Sequence, residues 1–225
     1  MRVEVYLESA PKRTFAGAVD WPGWCRSGRG EDEALAALLA YGRRYAVALT
    51  SVEPAFVAPI AGADLVVIER LRGDATTDFG APSRAPSADA RPLDDAGLQR
   101  QLRLLGAAWG ALDAVAAGAR GLELRKGPRG GGRDLDAVLA HVFGAEVAYL
   151  ARLGAKVPPR AAGNRSDELA VEREAIRDAL VAAVRGLPAA LPSRSGARWT
   201  PRYFVRRAAW HVLDHAWEIE DRAIR

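Results

Sequence analysis

The chain contains few of the residues that build thiolate or covalently linked sites. Its 225 residues include a single cysteine, Cys25, which excludes an internal disulfide and any cysteine-rich zinc or iron–sulfur site. One thiol is typical of a protein in a reducing compartment. Cys25 follows Trp24 and has no histidine near it in sequence, so we interpret it as a small core residue and not as a nucleophile.

The chain also lacks a long apolar segment. No apolar run approaches the roughly 20 residues that a membrane-spanning helix needs. The first ten residues, MRVEVYLESA, include three charged side chains and no apolar core, so they do not resemble a signal peptide. We therefore expect a cytoplasmic protein that has no membrane partner.

Residues 1–72 contain both strand and helix patterns. Residues 3–7 and 15–19 are rich in β-forming side chains and predict two strands joined by a hairpin. Residues 30–49 predict a helix whose acidic start agrees with the helix dipole. Residues 64–70 predict a further strand. This part of the chain is therefore expected to form a small α+β domain.

Residues 93–225 contain helical patterns only. The preceding residues 73–92 are rich in Gly, Pro, Ala, Ser and Asp without a visible period, and predict a linker or a connection along the surface. Beyond them, apolar residues recur at helical spacing in four segments, which are residues 94–117, 134–153, 166–185 and 200–224. Four amphipathic helices in succession predict a bundle. The expected fold class is therefore α+β, with a small domain followed by a four-helix bundle.

The three histidines of the chain all fall in these helical segments. His211 and His215 are four residues apart and share one helical face. The neighbours of His141 at helical spacing are small and apolar, so it is expected to face the bundle interior. Neutral imidazole is the commonest protein ligand for first-row divalent metals. We therefore predict a metal site formed by the three histidines, with coordination positions open to water or substrate.

A purely structural role is the main alternative for the three histidines, since a buried imidazole also bonds to backbone or side chains. Three known metal patterns fit the chain less well. A HExxH zinc protease requires glutamate where this chain has Val212, and the inverted HxxEH pattern is met only by Asp214 in place of glutamate. A di-iron bundle requires glutamate three residues before histidine on two helices, where this chain has Val138 and Ala208.

Two stretches of the second part resemble the DinB/YfiT-like superfamily. VLAHVFGAEVAYLARL is similar to the second helix of that family, and VRRAAWHVLDHAWEIEDR to its last helix with two histidines four apart. The resemblance covers residues 93–225. It implies an up-down-down-up four-helix bundle that binds a divalent metal, Zn or Ni, through His141, His211 and His215. Characterised members include thiol-dependent transferases and isomerases that use mycothiol or bacillithiol.

The first part resembles HicB-like antitoxin modules. The stretch FAGAVDWPGWCRSGRGEDEALAALLAY is similar to their strand, Pro-Gly turn and acidic helix start, and the resemblance covers residues 3–72. It implies a fold related to double-stranded-RNA-binding domains. Residues 1–72 contain nine Lys/Arg and nine Asp/Glu, and this zero net charge does not favour nucleic acid binding.

Further charged residues lie close to the histidines in sequence. Asp214 and Glu218 are candidates for orienting a ligand imidazole or for acting as a base, with a plain surface charge as the more frequent role. The glycine-rich stretch 118–133 and the basic stretch 194–207 offer groups for an anion, such as a carboxylate of a thiol cofactor. A solvated loop is the alternative for the glycine-rich stretch.

These patterns and resemblances predict a divalent-metal-dependent enzyme that acts on a small molecule. The family resemblance narrows this to a thiol-dependent transferase or isomerase, whose low-molecular-weight thiol would come from outside the chain. The alternatives are a non-catalytic metal-binding or regulatory protein, and a HicB-like nucleic-acid-binding or antitoxin-related module. A homodimer is compatible with these patterns, and nucleic acid is not the expected partner.

Overall fold

The computed structural model describes residues 2–126, 132–156, 165–191 and 198–224, apart from the side chains of residues 165–167. It confirms an α+β fold, in which a four-stranded mixed sheet is followed by long helices. The strands are β1 (Val3–Ser9), β2 (Thr14–Ala18), β3 (Cys25–Gly28) and β4 (Leu65–Arg72). The helices are α1 (Glu31–Ala40), α2 (Gly42–Leu49), α3 (Ala75–Phe79), α4 (Asp95–Gly118), α5 (Leu135–Arg152), α6 (Arg165–Val184) and α7 (Pro201–Arg222).

The sheet has the strand order β3-β2-β1-β4. Strand β1 is antiparallel to β2 and parallel to β4, and β2 is antiparallel to β3. The β1–β2 hairpin agrees with the prediction, and its turn is closed by Ala10 N donating to Arg13 O at 2.9 Å. A parallel pair needs a long crossover connection. Helices α1 and α2 lie in that crossover, between β3 and β4.

The single helix predicted for residues 30–49 is two helices, with a break at Tyr41. Gly42 begins the second one and packs against Trp24. A Cβ atom at Gly42 would lie 3.2 Å from the Trp24 ring and 3.1 Å from Ala58. The close approach of the backbone to this buried indole accounts for glycine here, and glycine inside a helix lowers the cost of a break. The change in helix direction at this break places Tyr45 in the core.

Residues 73–92 follow the surface of the sheet and are bonded to it. They include helix α3 and a short 3₁₀ turn. The buried carboxylate of Glu8 on β1 accepts from the hydroxyl of Thr77 at 2.5 Å and from the backbone N–H groups of Ser83 and Arg84 at 2.9 and 3.0 Å. Glu8, which is distant in sequence, thus orders residues 73–92. Their own composition predicted no regular structure because the ordering contacts come from another part of the chain.

Helix α7 is enclosed on most of its surface. It begins at Pro201, close to the predicted start at residue 200, and its N-cap Thr200 accepts through the hydroxyl from Tyr203 N at 3.2 Å. It contacts α4, α5 and α6, and Trp210 packs edge-to-face on Phe15 of β2 at 5.9 Å. Apolar side chains of the sheet region and of the long helices form one continuous buried cluster. Among the described ranges, no helix is long and apolar enough to cross a membrane.

Candidate metal centre

The three histidines lie close together between α5 and α7. His141 comes from α5, and His211 and His215 come from α7. One ring nitrogen of each lies within 4.8 Å of the others, and Nε2 of His141 is 3.2 Å from Nε2 of His211. His211 and His215 are 7% and 9% exposed, and His141 is half-buried. The group, which we call the histidine centre, is close enough to hold a metal ion.

Local sequence sets the direction of each ring. Asp134 caps α5 by accepting from Ala137 N at 2.8 Å, which fixes where the helix starts. The fully buried Val138 then turns its face of α5 inward, and His141 lies one turn further along that face. On α7 the four-residue spacing of His211 and His215 places both rings on the side that meets α5.

The distances suit a first-row divalent ion. Two imidazole nitrogens bound at ~2.0–2.1 Å in a tetrahedral arrangement lie about 3.3 Å apart, close to the 3.2 Å between His141 and His211. That separation alone also suits an N–H···N hydrogen bond. The third imidazole, His215, adds a ligand atom to the same 4.8 Å group, which a hydrogen bond between two rings does not require. Three imidazole nitrogen donors favour Zn, Ni, Cu or Fe over Mg or Ca.

Burial keeps two of these rings neutral. Desolvation lowers the pKa of His211 to about 2, with the charges of His215 and Arg207 as smaller contributions. Desolvation also lowers the pKa of His141, followed by the charge of Arg133. A metal ligand must be deprotonated. The lowered pKa values favour the neutral form of both imidazoles, which is the form that binds a metal.

His215 is held by a chain of charged groups. Its Nδ1 lies 2.7 Å from Oε2 of Glu218, whose other oxygen accepts from Nη1 of Arg222 at 2.5 Å. The hydrogen bond from His215 is the largest cause that lowers the pKa of Glu218 to about 2. Arg222 in turn donates to the carbonyl oxygens of Arg125 and Arg133 at 2.9 and 2.7 Å. With Nδ1 bonded to a carboxylate, Nε2 of His215 is the nitrogen left for a metal.

The two carboxylates proposed to orient a ligand therefore differ. Glu218 contacts His215, in line with that proposal. Asp214 forms an ion pair with Arg26 of β3 at 2.6 Å and joins α7 to the sheet instead. The spacing along the helix does not separate them, since Asp214 follows His211 and Glu218 follows His215 by the same three residues. The difference comes from Arg26 of β3, which pairs with Asp214.

The His211 side of the centre contains Tyr149, Trp210 and Arg207, of which the sequence offered Arg207 only as part of a basic stretch. The Tyr149 ring lies 5.9 Å from the His211 ring. The guanidinium of Arg207 lies 5.4 Å from the Tyr149 ring centre and 4.6 Å from that of Trp210. Arg207 precedes His211 by four residues, and this spacing was the available signal. Because the surrounding stretch contains several other arginines, the sequence did not distinguish Arg207 from them.

The basic stretches resolve into individual roles. Arg202 donates to the carbonyl oxygen of Arg91 at 3.0 Å, and Arg198 to that of Leu191 at 2.8 Å. Arg194 and Arg129 lie outside the described residues, as does part of the glycine-rich stretch proposed to bind an anion. Most described arginines of the second stretch therefore fasten neighbouring segments.

Cys25 belongs to a small buried cluster between β2 and α7. It is 2% exposed in a cluster with Phe15 and Trp210, and burial raises the pKa of its thiol to about 12. A thiol with so high a pKa is a poor nucleophile at neutral pH. This agrees with its interpretation as a core residue, and it leaves the histidine centre without a thiol from the described part of the chain.

Comparison of the chain with family models, with curated proteins and with solved structures gives no match. The resemblances to DinB-like bundles and to HicB-like modules accordingly stay predictions that depend on the quoted motifs. The geometry of the histidine centre is therefore the basis for inferring the function of the protein.

Proposed function

We propose that this protein is a divalent-metal-dependent enzyme whose metal is held by His141, His211 and His215. The observation that carries the proposal is that every histidine of the chain lies in one group of ligand atoms within 4.8 Å. Zn and Ni are the proposed metals, because three imidazole ligands suit both ions and because the DinB resemblance implies them. Three protein ligands also leave positions for a substrate.

The proposed architecture is a HicB-like α+β domain over residues 1–72, a connection over 73–92, and a DinB-like bundle over 93–225. In that bundle α4, α5, α6 and α7 would run up-down-down-up. Contacts of α7 with the other three, and of α6 with α4 and α5, support this arrangement. We place the protein in the cytoplasm because it has a single cysteine, which is buried.

The proposed reaction is transfer or isomerisation that depends on a low-molecular-weight thiol. When bound, a divalent ion supplies a Lewis acid that polarises a substrate group or activates a coordinated thiol or water. The residues of the chain do the rest: the imidazoles hold the ion, and Glu218 fixes His215 with Nε2 towards the centre. Because Cys25 is buried in another cluster, a reacting thiolate would have to come from solution.

Elemental analysis of untagged protein tests the metal site. We expect a stoichiometric divalent ion in the wild type and its loss in His211→Ala. Asp214→Asn is the matched control, since this residue lies on α7 between the two histidines but pairs with Arg26; it should keep the ion. A wild type that holds no more metal than His211→Ala would remove the proposal.

A panel of low-molecular-weight thiols, offered to the metal-loaded protein with an electrophilic substrate, separates an enzyme from a metal-binding or regulatory protein. Turnover above the metal-free protein supports the enzyme, and its absence with every thiol supports the second class. The HicB-like alternative predicts salt-dependent binding of RNA or DNA. The balanced charge of residues 1–72 speaks against it.

A further inference from the structure

The two ends of the histidine centre differ in how completely their polar groups are bonded. At one end His215 is bonded to Glu218, which is bonded to Arg222. At the other end Nδ1 of His211 is buried and has no hydrogen-bond partner among the described residues. The described residues therefore leave polar groups without partners at the His211 end and not at the His215 end.

Arg207 is the cation at that end. Its guanidinium lies between the rings of Tyr149 and Trp210, and its Nη1 is buried without an acceptor. It forms no ion pair with a described residue, whereas most other arginines of α7 are bonded to carboxylates or carbonyl groups. A buried guanidinium N–H without an acceptor costs free energy. Arginine stays charged in proteins, so it cannot avoid this cost by losing a proton.

The position of Arg207 relates this cation to the histidines. Arg207, His211 and His215 follow one another at four-residue intervals and form a stripe along one side of α7. One interval corresponds to a rise of about 6 Å. A molecule only a few atoms long can therefore bond to Arg207 and still reach the histidine centre. The two flanking rings restrict the guanidinium plane, which favours bidentate binding.

We propose that Arg207 binds a carboxylate of the substrate and so makes the site specific for small carboxylic acids. The inference rests on the proposed metal function and adds the substrate class to it. A guanidinium fork matches the two oxygens of a carboxylate, and the Tyr149 and Trp210 ring centres lie 5.4 and 4.6 Å from the Arg207 guanidinium. In this proposal Arg207 binds the substrate, and the reaction takes place at the histidine centre.

The test uses the full-length protein loaded with Co²⁺, whose visible absorption reports on the metal environment. Benzoate is the probe and benzamide its neutral counterpart. We expect benzoate to perturb the Co²⁺ spectrum at concentrations about tenfold or more below those needed for benzamide. In Arg207→Gln this preference should disappear while Co²⁺ stoichiometry stays unchanged. Arg103→Gln removes an exposed arginine of α4 and should behave as the wild type.

Each outcome decides between the two proposals. If Arg207→Gln keeps the wild-type preference for benzoate, Arg207 does not bind the carboxylate, although the metal site stands. If the wild type binds no Co²⁺, the metal function fails, and calorimetry of benzoate binding to the metal-free wild type and Arg207→Gln then decides the role of Arg207. Arg207→Lys keeps the charge without the fork and should retain part of the preference. This second variant serves if the glutamine variant does not fold.

Discussion

Arg206 and Arg207 are neighbours on α7 with opposite surroundings. The Arg206 guanidinium donates to both carboxylate oxygens of Asp89 at 2.7 and 2.8 Å, and to the carbonyl oxygens of Ala18 and Val19 at 2.8 Å each. It is 7% exposed. Arg207 has two aromatic neighbours and no hydrogen bond or ion pair with the described residues.

A rotation of about 100° between consecutive helical residues produces this difference. It turns Arg206 towards the sheet, where carbonyl groups and Asp89 saturate its donors, and Arg207 towards the histidine centre. Buried polar groups in folded proteins are normally bonded. Arg206, which is saturated, joins two parts of the fold. The unsaturated Nη1 of Arg207, near the histidine centre, is where we propose that another molecule binds. Substitutions at these and similar buried charges test that distinction.

Arg206→Met should have the largest effect on stability. It leaves the Asp89 carboxylate buried without its partner and removes the bonds to Ala18 and Val19. Breaking a buried ion pair in this way costs about 3–5 kcal/mol of unfolding free energy. Urea denaturation should show this loss, whereas Arg207→Gln should cost under about 1 kcal/mol, the scale of a cation–π contact. Equal losses in the two variants would contradict the division of roles.

Glu218→Ala should weaken metal binding without abolishing it. The variant removes the acceptor that holds Nδ1 of His215, and loss of such an indirect partner typically lowers metal affinity about 10–100-fold. Competition with a chromophoric chelator measures the change. Glu220→Ala is the control, because Glu220 lies in the same part of α7 but pairs with Arg44. If Glu218→Ala binds the metal as tightly as the wild type, the His215–Glu218–Arg222 chain of contacts has only a structural role.

Glu172 is a buried group without partners that, unlike Arg207, can become neutral. Both its oxygens lack hydrogen bonds among the described residues, and burial, followed by the nearby Glu146 carboxyl, raises its pKa to about 8. Glu146 accepts from Nε1 of Trp109, and burial raises its pKa to about 7. The folded protein therefore keeps the Glu172 proton at pH values where the unfolded chain has lost it, so this residue lowers stability as the pH rises from about 4.5 to about 8.

Glu172→Gln should remove that pH dependence. We expect the variant to be about 1–3 kcal/mol more stable than the wild type at pH 8.5 and nearly equal to it at pH 4.5. Urea denaturation at several pH values gives the comparison. Glu174→Gln, on the exposed side of the same helix, should follow the wild type at every pH. A constant difference between Glu172→Gln and the wild type would show that the carboxyl does not keep its proton.

Local signals predicted much of the fold. Strands β1, β2 and β4 and the long helices lie close to the predicted residues, because strand alternation and helical period are properties of short stretches. Strand β3 (Cys25–Gly28) was not predicted. The predicted helix over residues 30–49 was wrong in being continuous. Its break depends on the buried Trp24 ring, whose position is set by other elements and leaves no local pattern.

The sequence by itself determined the pair His211 and His215 and the exclusion of a cysteine-rich site, since helical period and composition need no knowledge of neighbours. It also singled out His141 as their partner. Only the tertiary structure decided that α5 meets α7 where these rings approach to 3.2 Å, that Glu218 and not Asp214 serves the centre, and which of two consecutive arginines is left without an acceptor. These outcomes depend on what lies across each helix face, and contacts between elements distant in sequence cannot be read from the spacing within one of them.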